Sequence, residues 1–276
     1  MKRVSGIFFA CVLAMSAALA SAQQDLSKAE IKAQNVKGNI YMLNGTGGNV
    51  GVSVGPDGVL IVDDKFAPLA DKIRASLKGV GGGTLKFILN THFHGDHTGG
   101  NQVFGPEAPI IAHTNVRKRL QSEQRIGGQT TPAAPKEAWP VITFDQSLSI
   151  HFNGEEIRAL HFPRGHTDGD SVIFFTGSNV VHMGDDFFAG RFPFVDLDSG
   201  GDVEGLTKNI GQVIQQLPAD VTIIPGHGLI SKLDDLKAYH RMLVATTEFV
   251  RKRMAAGKSL AEIKVEGFPA EWVAGS

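Results

Sequence analysis

Thr91-His92-Phe93-His94-Gly95-Asp96-His97 puts three imidazoles and a carboxylate within six residues, directly after the apolar run Leu85-Lys86-Phe87-Ile88-Leu89. Neither helix nor strand periodicity needs that composition, so the stretch reads as a metal-binding motif. In an extended chain His92 and His94, two apart, point to one side and can grip one ion. Asp96 and His97 follow where the chain must turn, which frees them to face a second ion.

Upstream, Asn39 to Leu43, Val50 to Val54 and Val59 to Val62 are β-rich runs, the last two joined by the turn Gly55-Pro56-Asp57-Gly58. The glycine-rich stretch Asn44 to Asn49 between the first two reads as a mobile loop that flanks the site. Pro68 to Val80 carries Leu69, Ile73 and Leu77 at helical spacing and ends at Gly81-Gly82-Gly83, giving a β-α-β passage into the histidine cluster. Downstream, Thr114 to Gln121 reads as a helix. Gln124 to Pro140, rich in Gly, Pro, Thr and Ala, reads as a long binding loop, with Gln124 to Trp139 flanking the site. Further strands are expected at Val141 to Phe144, Leu148 to Phe152, Glu156 to Phe162, Ser171 to Phe175, Val180 to Met183 and Val221 to Ile224. Helices are expected at Val203 to Leu217 and Leu233 to Ala256, the latter with Leu236, Leu243, Val250 and Met254 along one face. A last short helix starts at the capping box Ser259-Leu260-Ala261-Glu262.

The chain begins with Lys2 and Arg3, an apolar stretch from Ile7 to Ala20, and Ala20-Ser21-Ala22 before Gln23. This is the three-part pattern of a secretory signal, so residues 1 to 22 are expected to be removed and residues 23 to 276 to form one catalytic domain in the periplasm. The apolar stretch is shorter than the roughly 20 residues of a spanning helix. The only cysteine, Cys11, leaves with the signal, so the metal site must be built from nitrogen and oxygen. Without Lys2 and Arg3 the basic count falls from 27 to 25 against 28 acidic residues, a net charge of about −3. No basic stripe or charge block is present. That balance argues against nucleic acid, and against a membrane surface once the signal is gone, and leaves a small-molecule substrate as the expected partner.

Three later spots repeat the theme of the opening cluster. His166 sits in Gly165-His166-Thr167-Asp168-Gly169-Asp170, Asp185 in Gly184-Asp185-Asp186, and His227 in Pro225-Gly226-His227-Gly228. Each follows an expected strand and has a glycine beside it. Loops on one rim of a sheet would bring them together.

The ordered set H-x-H-x-D-H, G-H-T, G-D and P-G-H closely resembles the metallo-β-lactamase superfamily across essentially the whole mature chain. The resemblance implies an α/β fold, a four-layer αβ/βα sandwich, with a dinuclear site, usually zinc, at one edge. Carried over, His92, His94 and His166 would hold one ion, Asp96, His97 and His227 the other, and Asp185 would bridge them. Asp185 rather than Asp186 is expected, because strand alternation sends neighbours to opposite sides. Asp63, after the strand Val59 to Val62, resembles the family's acidic residue there, with the expected role of steadying a ligand histidine.

Two divalent ions roughly 3.5–4 Å apart lower the pKa of a shared water toward 7 and polarise a carbonyl, so no serine or cysteine nucleophile is needed. Asp96 would also orient the attacking water. Arg191, in the aromatic stretch Phe187 to Phe194, would offer a cation to an anionic substrate. His113, His151, His161, His182 and His240 have no convergent partners and read as structural or surface residues, although His161 and His182 lie on strands leading into His166 and Asp185; Asp168 and Asp170 read as turn and capping residues. A hydrolase follows, with β-lactam opening as the leading specific case for an exported chain. Asp185 departs from the lactamase patterns and looks more like glyoxalase-II-type thioesterases and lactonases. An iron-dependent persulfide dioxygenase is the reading from another class, since an all-nitrogen-and-oxygen donor set suits iron or manganese as well as zinc.

Overall fold

A computed structural model describes residues 26–273 of the chain. The expected signal at residues 1–22 lies outside the described residues. In chain order the strands are β1 (Ile31–Lys37), β2 (Ile40–Gly45), β3 (Val50–Gly55), β4 (Gly58–Val62), β5 (Leu85–Leu89), β6 (Ile110–His113), β7 (Gln124–Ile126) and β8 (Gln129–Thr131). They continue as β9 (Ile142–Phe144), β10 (Ser147–Phe152), β11 (Glu155–His161), β12 (Ser171–Phe175), β13 (Val180–His182), β14 (Thr222–Ile224) and β15 (Ser231–Lys232). The helices are α1 (Ala70–Gly79), α2 (Gly95–Thr98), α3 (Asn101–Phe104), α4 (Thr114–Leu120), α5 (Val203–Gln216), α6 (Leu233–Ala255), α7 (Leu260–Glu266) and α8 (Ala270–Val273).

One sheet runs in the order β1-β2-β3-β4-β5-β6-β9, the other β10-β11-β12-β13-β14-β15. In the first, β1 to β4 are antiparallel and β4, β5, β6 and β9 parallel, because α1 carries the chain across the face between β4 and β5. In the second, β13 and β14 are parallel across α5 while the other pairs are antiparallel.

Strand alternation sorts the side chains into layers. In β4, Leu60 and Val62 turn inward to meet Ile157, Ile173 and Phe175 of the other sheet, while Val59 and Ile61 turn outward onto Ile73 and Leu77 of α1. In β12, Ile173 and Phe175 face the first sheet, while Val172 and Phe174 face Leu206 and Ile210 of α5 and Leu236 and Leu243 of α6. The result is a four-layer αβ/βα sandwich. Each buried Leu, Ile or Phe contributes on the order of 1.5–3 kcal/mol, so the three apolar interfaces hold the frame that carries the loops.

Several elements differ from the expectations. β1 is polar and largely exposed, and it forms because β2 offers it a pairing edge. β6 is buried throughout and shows no alternation. The stretch Gln124 to Pro140 is no plain loop: it holds the hairpin β7–β8, and Trp139 Nε1 donates to Ala134 O at 2.9 Å while Ala134 N donates to Leu120 O at 2.9 Å. Along α6, Leu236 and Leu243 are buried, but Met254 is 63% exposed because the helix outruns the core. No helix among the described residues is long and apolar enough to cross a membrane.

Candidate metal centre

The strands β4, β5, β11, β13 and β14 end on one rim, and the loops that follow them carry Asp63, His92 to His97, His166, Asp185 and His227. The chain stays extended through His94, whose ψ is 146°, and then enters α2. That single helical turn, rather than an open loop, points Asp96 and His97 away from His92 and His94. Gly184 at φ 52° starts a tight turn over Gly184–Asp186, which aims Asp185 at the imidazoles. Asp186 faces Asp170 and the backbone N–H of His166 instead. The selection is thus made by a turn, not by strand alternation.

Ligand-type atoms gather in two groups, His92, His94, His166 and Asp185 in one and Asp96, His97 and His227 in the other, each within 4.8 Å internally. Asp185 stands between them. Its Oδ2 lies 3.5 Å from His166 Nε2, 3.8 Å from His92 Nε2 and 3.4 Å from His227 Nε2, and its Oδ1 lies 3.1 Å from His97 Nε2. Asp96 Oδ2 is 3.2 Å from His227 Nε2 and 3.7 Å from His97 Nε2.

The imidazoles are oriented from behind. His97 Nδ1 donates to Asp63 Oδ2 at 2.7 Å, and His94 Nε2 donates to Asp196 Oδ2 at 2.9 Å. His166 Nδ1 donates to the Phe194 carbonyl at 2.7 Å. The Thr91 hydroxyl donates to Asp63 at 2.7 Å and accepts from His92 Nδ1 at 3.0 Å. Each bond turns the opposite ring nitrogen inward, where the neutral imidazole offers a lone pair, the arrangement a metal ligand needs. Asp63 therefore steadies His97 directly and His92 through Thr91.

The donor set fits divalent cations. His92 Nε2 is buried with no hydrogen-bond partner, and Asp185 Oδ1, though near His97, has no bond of good geometry. Orphaned buried polar atoms are costly, and here two belong to neighbouring ligand-type residues of one group. The protonation pattern shows the same need for positive charge. Burial opposes ionisation at His97, yet Asp185, Asp96 and Asp63 outweigh it and hold its pKa well above the imidazole range. Burial would raise Asp96, but His97 and His227 hold it at about 2. On the other side burial, with His97 beside it, keeps His92 well below the usual range, and burial brings His166 to about 4. A proton on His97 thus offsets the carboxylates, and a cation bound there would displace it.

A second tier of contacts holds the loops together. Asn49 is buried, and its side-chain amide donates to Pro225 O at 3.0 Å and Gly228 O at 2.9 Å, bracketing His227. Its backbone N–H donates to Gly226 O at 2.7 Å, and its carbonyl accepts from His182 Nε2 at 3.1 Å. His182 Nδ1 accepts from Gly184 N at 3.1 Å, so one imidazole ties the Asp185 turn to the Asn49 loop. Buried Lys65 donates to Gly48 O, and burial brings its pKa down to about 8. Close approach dictates two glycines. A Cβ on Gly48 would lie 2.1 Å from the His97 ring, and one on Gly226 would lie 2.1 Å from Asp185 Oδ1.

Four expectations need revision. Arg191 is placed outside the cleft: its guanidinium sits 5.1 Å from the Phe188 ring centroid and lines a neighbouring cavity. His182 is structural, but it serves the site through Asn49 and Gly184. His113 and His161 are not isolated, for their rings stack at 3.6 Å with an 11° tilt between the two sheets. Asp168 is also more than a turn residue, since it pairs with Arg119 through two bonds of 2.8 Å. Asp196 is not expected from the sequence, and Asn49 is expected only as part of a flanking loop; their partners lie 102 and 176 residues away, so nothing local shows what they hold.

A family model described as the metallo-beta-lactamase superfamily matches residues 40–227, a span that contains every residue of both groups. The chain belongs to this superfamily. Within it, the chain is similar to a hydroxyacylglutathione hydrolase of Polaromonas sp., 28% identical over 173 residues that cover 59% of this chain and 56% of the relative. A hydroxyacylglutathione hydrolase GloC of Haemophilus influenzae is 32% identical over 155 residues, covering 52% of this chain and 69% of that one. The chain spans about half the length of the first of these relatives. Among solved structures, the DIM-1 metallo-beta-lactamase aligns with a TM-score of 0.64 at 18% identity, covering 79% of this chain and 98% of that one. A metallo-beta-lactamase from Pontibacter korlensis aligns at 0.63 and 13% identity, covering 78% and 99%. These two likenesses show the fold.

Proposed function

We propose that this chain is an exported, dinuclear zinc hydrolase that cleaves an ester or thioester carbonyl. The observation that carries the reading is Asp185, a buried carboxylate within 3.1–3.8 Å of imidazoles from both groups. His92, His94 and His166 would hold one ion, Asp96, His97 and His227 the other, with Asp185 between. When bound, two such ions lower the pKa of water and polarise the carbonyl. Asp96, at the mouth of the cleft with its side chain 28% exposed, accepts a hydrogen bond from the attacking water and orients it. Asp63, Asp196 and the Phe194 carbonyl keep the imidazoles in one tautomer throughout.

Hydroxyacylglutathione hydrolases recur among the relatives, and by name they release an acyl group from the sulfur of glutathione. They favour the thioester over the β-lactam, because the lactamase likenesses, at 18% and 13% identity, carry the fold alone. The test is metal content together with turnover of a thioester, a lactone and a cephalosporin, with and without chelator. Two zinc ions per chain and chelator-sensitive thioester or lactone hydrolysis are expected. One iron per chain, or turnover unchanged in His94→Ala, overturns the reading.

A further inference from the structure

The cleft over the two groups has a volume of about 290 Å³ and is walled by three apolar side chains, Ile126, Phe188 and Phe194. Phe188 stacks on His227 with ring centroids 5.2 Å apart and 8° between planes. Phe194 lies 6.0 Å from the His94 ring and 5.9 Å from His166, yet it is 45% exposed. An aromatic ring left open to solvent at the mouth of a polar cleft is a contact surface for an apolar group. Ile126 comes from the hairpin β7–β8, whose first strand packs beside the turn Leu197–Ser199 that follows Phe194. Hairpin and turn thus close one side of the cleft.

No lysine or arginine lines this cleft among the described residues. The nearby cations are committed elsewhere. Arg119 is held by Asp168 through two bonds of 2.8 Å, Lys65 is buried against Gly48 O, and Arg191 lies behind Phe188 in the next cavity. Arg125 precedes Ile126 in the same strand, so alternation turns it to the opposite face. The carboxylates in its lining are Asp96 and the buried Asp185, both placed to face the ions. An anionic group a few ångströms beyond the reacting carbonyl would meet apolar carbon and find no side-chain cation to pair with.

We infer that the cleft selects substrates whose acyl group is short to medium in length, apolar and uncharged, and rejects acyl groups that carry a second carboxylate. The inference rests on the hydrolase reading for its chemistry, while the selectivity belongs to the cleft. The volume sits at the low end for small-molecule pockets, about 300–1,000 Å³, which suits an acyl chain rather than a whole drug-sized ligand.

The test uses the zinc-loaded protein and thioesters of one neutral thiol, N-acetylcysteamine. Across acetyl, butanoyl and hexanoyl, kcat/KM is expected to rise by about 2–4-fold per methylene. The glutaryl thioester is expected to be at least about 10-fold slower than pentanoyl. Ile126→Lys, with unchanged zinc content, is expected to narrow or invert that ratio. Independently of turnover, calorimetry should show hexanoate binding the zinc-loaded protein more tightly than adipate. Glutaryl turnover equal to pentanoyl, or adipate binding as tightly as hexanoate, overturns the inference. Failure to hydrolyse any thioester or lactone, with the hexanoate preference intact, would sink the hydrolase reading and support the cleft's selectivity.

Discussion

Asn49→Ala isolates the contact that holds His227. The substitution removes the side-chain amide and leaves two carbonyls, Pro225 O and Gly228 O, without their donor. The backbone bonds from Asn49 to Gly226 and from His182 to Asn49 survive, because alanine keeps both groups. An unsatisfied buried acceptor costs about 1–3 kcal/mol, so the pair costs at most about 2–6 kcal/mol, toward the lower end because Gly228 is exposed. Because the carbonyls flank His227, part of that cost should appear as freedom of the imidazole. Groups that orient ligands from behind alter metal affinity by roughly 10–100-fold. The assay is a zinc titration against a chromophoric chelator, paired with urea unfolding of the chelated protein. Asn49→Ala should keep one zinc with native affinity and bind the second 10–100-fold more weakly by the same principle. Leu243→Ala, buried in the helix-side core, is the control: it should cost about 2–5 kcal/mol and leave both affinities unchanged. Two zinc ions bound by Asn49→Ala with native affinity, in a protein destabilised as expected, would refute the role given to the amide.

Asp196→Ala removes the acceptor for His94 Nε2 and should weaken the other zinc by about 10–100-fold, readable in the same titration. Gly226→Ala forces a Cβ to within 2.1 Å of Asp185 Oδ1, with the Gly184 backbone behind it. It should abolish zinc binding and lower the melting temperature by about 5–10 °C, as measured by calorimetry. Burial and the neighbouring His161 bring His113 down to about 4, and burial also lowers His161. Both folded-state values lie below the unfolded value, so the stability held by the neutral pair is complete above about pH 6.5 and lost as pH falls toward 4. In the chelated protein, His161→Phe should show a shallower loss of stability than wild type across that window; identical slopes would remove the pair as the cause. Chelation itself should lower the melting temperature and return in full on adding two zinc equivalents, since binding to the folded state alone stabilises it.

Local chemistry made much of this protein readable from its residues. Alternating apolar runs mark the inner strands because side chains in a strand change faces at each step, and the run into Thr91 to His97 declares itself by composition. Ligand-type residues beside glycines at strand ends needed no partner in view to be singled out. Asp63 and the choice of Asp185 over Asp186 were also within reach, although a turn at Gly184 makes that choice. By contrast β1 is a strand only because β2 pairs with it, and the hairpin β7–β8 sits in sequence that shows no periodicity.

What only the tertiary structure decided is how the separate signals converge. The order of strands brings five loop ends to one rim, which turns scattered histidines into two groups joined by Asp185. Asp196 and Asn49 act on ligands far away in the chain, so no local pattern marks them, and His182, close to Asp185 in sequence, is tied to the Asn49 loop only by the fold. Arg191, set beside Asp185 by sequence, is carried behind Phe188 by the backbone, while Ile126 arrives from the hairpin to take a place in the cleft wall. The residues that bind metal follow from donor chemistry, which a sequence displays directly. Those that orient the ligands and shape the cleft follow from distances across the sandwich, which exist only once its layers are packed.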